Sequence, residues 1–200
     1  MSTYHITLTI ASEAHLHYVG EIEQALVEAS QQKGTAIAVR SSAYLSEKIR
    51  EGKAVIAYSE EGRWAGFCYI ESWGHNKFVA NSGLIVSSRF RGIGLASAIK
   101  KKALELSKKL FPGAKLFGLT TSLAVMKINS DLGYRPVTFS ELTDDEAFWK
   151  GCQTCPFYDI LVRTKRVDCL CTAMILVPKE ESKVNGEVLT TKVKVKINHT

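Results

Sequence analysis

Three groups of residues in this sequence have types and spacings that can do chemistry. The first is Arg91-Gly92-Ile93-Gly94-Leu95-Ala96, which lies between an apolar run ending at Val86 and a lysine-rich run with helical spacing. Glycines at 92 and 94 remove side chains where backbone amides must approach an anion, and the start of the following helix adds its positive dipole end. A pyrophosphate fits such a turn. The second group surrounds Glu71, which closes a strand-like run beside Trp73, His75 and Asn76. A carboxylate there is a candidate general base, with His75 as the alternative. The third is Cys152-x-x-Cys155, followed after thirteen residues by Cys169-x-Cys171. Four soft ligands are the number that a structural tetrahedral zinc uses. The other reading is buried free thiols, because cysteine is among the most buried residue types. Thioredoxin-like exchange is not expected, since Cys152 does not open a helix after a strand.

Other residues qualify as a supporting cast. Arg40, Lys77 and Lys127 are cations available to a carboxylate ligand, and Asn81, Ser82, Thr120 and Thr121 offer neutral hydrogen bonds at strand ends. Lys100 and Lys101 stand one to two turns into the lysine-rich helix, where they either meet a phosphate of the bound ligand or form a solvated cationic face.

The elements that must position these groups follow from periodicity. Residues 4–10 alternate apolar and polar with the period of two of a half-buried strand. Residues 15–31 carry apolar positions at helical spacing, and residues 42–51 give a second helix closed by Gly52. Residues 53–58 and 63–72 are β-branched and aromatic, with a short polar link, and form a hairpin. A strand over 78–86, the glycine turn, a helix over 95–110, a strand over 115–121, a helix over 122–132 and a strand over 170–177 complete the chain. That order predicts an α+β fold with a mixed sheet covered by helices.

The composition suits this fold. The 200 residues are 46% hydrophobic and 23% charged, enough for a full core within one domain over residues 1–178. Residues 150–175 form a cysteine-rich subregion, and residues 179–200 a basic tail or edge strand. A net charge of +6 suits an anionic ligand. Lys192, Lys194 and Lys196 alternate with Val193, Val195 and Ile197 without aromatic neighbours, which argues for an edge strand over a nucleic-acid patch. The longest apolar run, residues 173–177, is far too short to span a bilayer. The first residues lack the pattern of a secretory signal. The expectation is a cytoplasmic protein with neither membrane nor nucleic acid as partner.

The stretch from Val86 to Ile99 resembles motif A of the GNAT superfamily, R/Q-x-x-G-x-G/A, with Arg91, Gly94 and Ala96 in its positions. Leu119-Thr120-Thr121 and the later Asp131-Leu132-Gly133-Tyr134 resemble the strand and the close of motif B. The resemblance implies a mostly antiparallel sheet flanked by helices and an acyl-coenzyme A cosubstrate. Backbone amides from Arg91 through Gly92, Ile93, Gly94 and Leu95 to Ala96 would hold the pyrophosphate. The edge of Leu84, Ile85 and Val86 would pair with pantetheine, and the Val86 amide would polarise the thioester carbonyl. Many members place a tyrosine acid four residues before the glycine that closes motif B; here that position is Asn129, left to hydrogen-bond the thiol or the pantetheine.

The acyltransfer domain of N-acetylglutamate synthases shares that departure, and residues 133–142 (GYRPVTFSEL) resemble its close. The implied activity is transfer of an acetyl, succinyl or other short acyl group to the α-amine of an amino acid, glutamate foremost, by direct attack in a ternary complex. A non-catalytic coenzyme A sensor or partner-binding module is the alternative. The oligomeric state is left open, a homodimer included.

Overall fold

The central strands of this chain are buried on both faces, and that decides its layering. The computed structural model describes residues 4–177 and 191–195. Its strands are β1 (Tyr4–Ile10), β2 (Ala54–Ser59), β3 (Trp64–Trp73), β4 (Phe78–Val86), β5 (Lys115–Thr120), β6 (Arg135–Val137), β7 (Thr172–Leu176) and β8 (Thr191–Val195). They form one sheet in the order β6-β7-β5-β4-β3-β2-β1-β8. Every pairing is antiparallel except β4 with β5. The mostly antiparallel, helix-flanked mixed sheet expected from the sequence is what the chain builds.

The helices are α1 (Val19–Ser30), α2 (Ser42–Arg50), α3 (Leu95–Leu110), α4 (Leu123–Asp131), α5 (Glu146–Lys150) and α6 (Tyr158–Arg163). Alternate residues of β2 and β3 feed two cores. Val55, Ala57, Ala65 and Cys68 pack with Leu95, Ile99 and Ala103 of α3 on one face. Ala54, Ile56, Phe67 and Tyr69 pack with Ile22 and Leu26 of α1 and Leu45 and Ile49 of α2 on the other. A third cluster joins Ala80 and Phe117 to Phe139, Phe148, Trp149 and Leu161 of the C-terminal segment.

Several boundaries differ from expectation for local reasons. The helix expected over 15–31 begins as a 3-10 turn over Glu13–Tyr18 before α1 takes over. The strand expected over 170–177 shortens to β7. β6, α5 and α6 were not anticipated, because three to six residues are too few to display a period. Of the basic C-terminal stretch, residues 191–195 pair with β1 as an edge strand; residues 178–190 and 196–200 lie outside the described residues. No helix among the described residues is long and apolar enough to cross a membrane.

Candidate active site

The site begins where β4 and β5 part. The two strands run parallel through Phe78↔Lys115, Val79↔Leu116 and Ala80↔Phe117, and then diverge. A cleft of about 570 Å³ opens through the sheet at this point, lined by residues from both faces. Leu84, Ile85, Arg91, Lys100 and Asn129 line it, as do Arg40, Tyr69 and Glu71.

The bend of β4 rests on Gly83. Between the pairs Tyr69↔Ser82 and Phe67↔Ile85 the register shifts, so β4 carries one extra residue, a bulge. Gly83 has φ +61, and a Cβ on it would lie 2.3 Å from the Tyr69 ring, so only glycine fits. Beyond the bulge the Ser87 N–H donates to Ala65 O at 3.0 Å. Backbone groups alternate along a strand, so the Val86 N–H points away from β3. The Arg91 Nε–H donates to Val86 O at 3.1 Å on that same side.

The glycine turn follows directly. Gly94, with φ +80, is the N-cap of α3 and supplies no side-chain cap, so the first amides of the helix remain available to an anion. No atom lies within 4 Å of a Cβ built on Gly92 or Gly94. The space in front of the turn is open, as a pyrophosphate site requires. Leu95 is buried and Ile93 packs against the core below, so both could offer a ligand only their backbone, while Ala96 follows in the first turn of α3.

On the opposite face Glu71 accepts a short hydrogen bond from the Tyr44 hydroxyl. The Arg40 guanidinium lies 5.4 Å from the centre of the Tyr44 ring. Burial works against the Arg40 charge, but Tyr69, Glu71 and Tyr44 outweigh it and hold its pKa above the ordinary arginine value. Burial first, and then the Glu71 charge, push the Tyr44 and Tyr69 phenols well above their usual range, so both stay neutral donors. Trp73, Phe117 and Phe148 form an aromatic wall beside them, with ring centres 5.0–5.7 Å apart.

Among the remaining sequence candidates, Thr120, Thr121, Asn81 and Ser82 do line the cleft. The Asn81 side chain is turned away, donating to Ser107 Oγ at 2.7 Å and accepting from the Tyr134 hydroxyl at 3.3 Å. His75 and Lys77 do not reach this cleft. They sit in the β3–β4 turn and line a separate groove with residues 110–115. Lys127 is exposed and pairs with Asp131 at 3.7 Å.

Asn129 is 1% exposed; its Nδ2 contacts Met174 Sδ at 3.6 Å, and its Oδ1 has no partner among the described residues. Lys101 is exposed, whereas Lys100 is buried and so is no surface ligand for a ribose phosphate.

The zinc reading is not supported. All five cysteines are free, and no group of three or more metal-ligating side chains is arranged for an ion among the described residues. Cys152, Cys169 and Cys171 instead pack against the third hydrophobic cluster, and the Cys169 thiol faces Phe157 O at 4.0 Å. Cys155 and its neighbour Cys152 also line the cleft, where burial pushes the Cys152 thiol up to about 11. They are apolar lining groups.

Residues 19–127, more than half of the chain, match the sequence profile of the Acetyltransferase (GNAT) family. The chain belongs to the GNAT acetyltransferase family. Membership indicates acyl transfer from an acyl-coenzyme A to an amine.

Solved structures share the GNAT fold at low identity. One is N-acetylglutamate synthase from Neisseria gonorrhoeae complexed with coenzyme A and N-acetyl-glutamate, 15% identical with a TM-score of 0.60 over 85% of this chain. This GNAT chain spans about a third (34%) of that synthase. A Mycobacterium tuberculosis protein in complex with CoA is 17% identical, with a TM-score of 0.62 over 86% of this chain and 99% of its own. Mosquito arylalkylamine N-acetyltransferase like 5b is 14% identical, with a TM-score of 0.57 over 86% of this chain and 100% of its own. No curated protein matches the sequence.

Sequence reasoning missed Tyr44, Tyr69, Gly83 and the burial of Lys100. Two had a readable signal. Gly83 interrupts a strand, which marks a bulge. Lys100 stands four residues after Ala96 and four before Leu104, on the apolar stripe of its GNAT helix.

Proposed function

We propose that this GNAT protein transfers a short acyl group, acetyl foremost, from coenzyme A to the amine of an amino acid by direct attack in a ternary complex. The observation that carries this reading is the cleft through the sheet, with Arg91 of the glycine turn before the uncapped start of α3 on one side, and Glu71, held by Tyr44, with Arg40 on the other.

The residues divide the work. Backbone amides of the turn from Arg91 to Ala96 hold the pyrophosphate of the donor substrate. The free edge of β4 at Val86, Ile85 and Leu84 pairs with its pantetheine, which carries the thioester inward to the β4/β5 gap beside Asn81. Glu71 takes the proton from the acceptor amine. Its Oε1 is engaged by Tyr44, which leaves the second oxygen for the proton. Arg40 holds the acceptor carboxylate.

A glutamate acceptor needs a cation for its second carboxylate. The other cations lining the cleft are Arg91, beside the glycine turn, and the buried Lys100. The aromatic wall of Trp73, Phe117 and Phe148 fits an apolar side chain equally well. Thiol release with Ellman's reagent, from acetyl- and succinyl-coenzyme A against glutamate, aromatic and aliphatic amino acids, tests the reading. Acceptor-dependent release supports it, and the preferred acceptor names the side-chain class. Coenzyme A binding without release for any amine would replace it with the sensor reading.

A further inference from the structure

Lys100 is a lysine where the packing calls for an apolar side chain. It is 1% exposed on the sheet-facing side of α3 and lines the cleft at the root of the β4/β5 gap. Its Nζ donates to the backbone carbonyl of Asn81, the first β4 residue beyond the last pair with β5, at 3.2 Å. A Cβ placed on Gly118 would lie 4.0 Å from Lys100 Nζ and 3.7 Å from Asn129 Nδ2, so the two side chains converge on one point of β5.

The groups facing this ammonium are neutral. From β3 comes the Cys68 thiol, which burial pushes up to about 11. From the segment after α4 comes Tyr134, whose ring centre lies 5.7 Å from Nζ and whose phenol burial also holds protonated. No ion pair to Lys100 forms among the described residues. A cation buried without a counter-charge is costly, and burial lowers the Lys100 pKa accordingly.

A negative charge that develops next to it only as a bond breaks would be stabilised selectively in the transition state. In acyl transfer from a thioester the departing sulfur is that charge. Asn129 has no ionisable proton to give it.

We propose that Lys100 is the proton donor to the leaving group of this enzyme. As the amine adds to the thioester and the C–S bond breaks, the bonding pair departs with the sulfur. The Lys100 ammonium passes one proton to that thiolate and forms the neutral thiol. The neutral lysine then regains a proton from solvent before the next turnover, and the proton removed from the acceptor ammonium leaves by way of Glu71. This inference rests on the acyl-transfer reading above.

The test compares wild type with Lys100→Met and Lys100→Gln. Glutamine retains a donor for Asn81 O but cannot protonate sulfur. Methionine removes the buried charge at similar volume, a change that commonly preserves or raises stability. In both variants the single-turnover rate should fall at least roughly a hundredfold, while the Kd for coenzyme A, by calorimetry, stays within about threefold.

The wild-type rate should also decline at high pH, because the acid must be protonated, with the falling limb below the ordinary lysine value of 10.5. That limb should be absent in both variants. Lys100→Gln turning over within about threefold of wild type, or keeping the falling limb, overturns the assignment. So does a wild-type profile with no falling limb below pH 10.5, whatever the variants' stability. Failure of the wild type to bind coenzyme A or to release thiol would instead remove the acyl-transfer reading, and this one with it.

Discussion

At the scale of single residues, the Tyr44–Glu71 hydrogen bond and the Arg40 charge beside it make the acceptor face of the cleft more than a chance collection of polar groups. Replacing Glu71 by Gln keeps shape and removes the base, so kcat should drop roughly a hundredfold or more in the thiol-release assay; an unchanged kcat would disqualify Glu71. Asn129→Ala should cost what one hydrogen bond is worth, on the order of 1 kcal/mol or about fivefold in rate. Lys100 also sets a pH dependence of stability. Its folded pKa is lowered by burial, so between that lowered value and 10.5 the unfolded chain binds more protons than the native one. Stability should therefore gain a component as pH rises through this window, read by chemical denaturation, and Lys100→Met should lack it. Glu71 was readable as a candidate because it ends a strand beside polar neighbours. Tyr44 was not, because the contact joins α2 to β3 across 27 positions and nothing local announces it.

At the scale of elements, the strands were legible wherever they were buried on both faces and six or more residues long. α3 was legible from its glycine start and its apolar stripe. What stayed illegible were the short pieces: β6 contains Pro136, and α5 and α6 hold five and six residues. Two glycines give opposite predictions. Gly83→Ala forces a Cβ to within 2.3 Å of the Tyr69 ring at a φ of +61, and should lower stability by at least about 2 kcal/mol in denaturant titrations. Gly94→Glu meets no protein atom, so the fold should survive at a cost of about 1–2 kcal/mol for the left-handed backbone. It places a side chain and a negative charge where the pyrophosphate would approach, and coenzyme A binding measured by calorimetry should weaken at least tenfold, about 1.4 kcal/mol.

At the scale of the whole molecule, the matched region ends at residue 127, yet one wall of the cleft is built after it. Phe148, Cys152 and Cys171 come from the segment that β7 returns to the side of β5. The sequence signalled this segment only through its cysteines, and their spacing suggested metal when their surroundings are aromatic. Phe148 touches Trp73, Phe117 and Trp149. Phe148→Ala should cost about 3–5 kcal/mol of stability and widen the acceptor side of the cleft, seen as a lowered melting temperature and a raised KM for the acceptor with the coenzyme A Kd unchanged. The sheet's other border has a consequence in time. Leu8 of β1 pairs with Thr191 of β8, so during synthesis the outer edge of the first strand waits until its partner, far along the chain, has been made. At about 5–20 residues per second that delay is on the order of 10–40 s. Through that interval the nascent chain carries an unsealed hydrogen-bonding edge, the kind of surface that pairs with other chains.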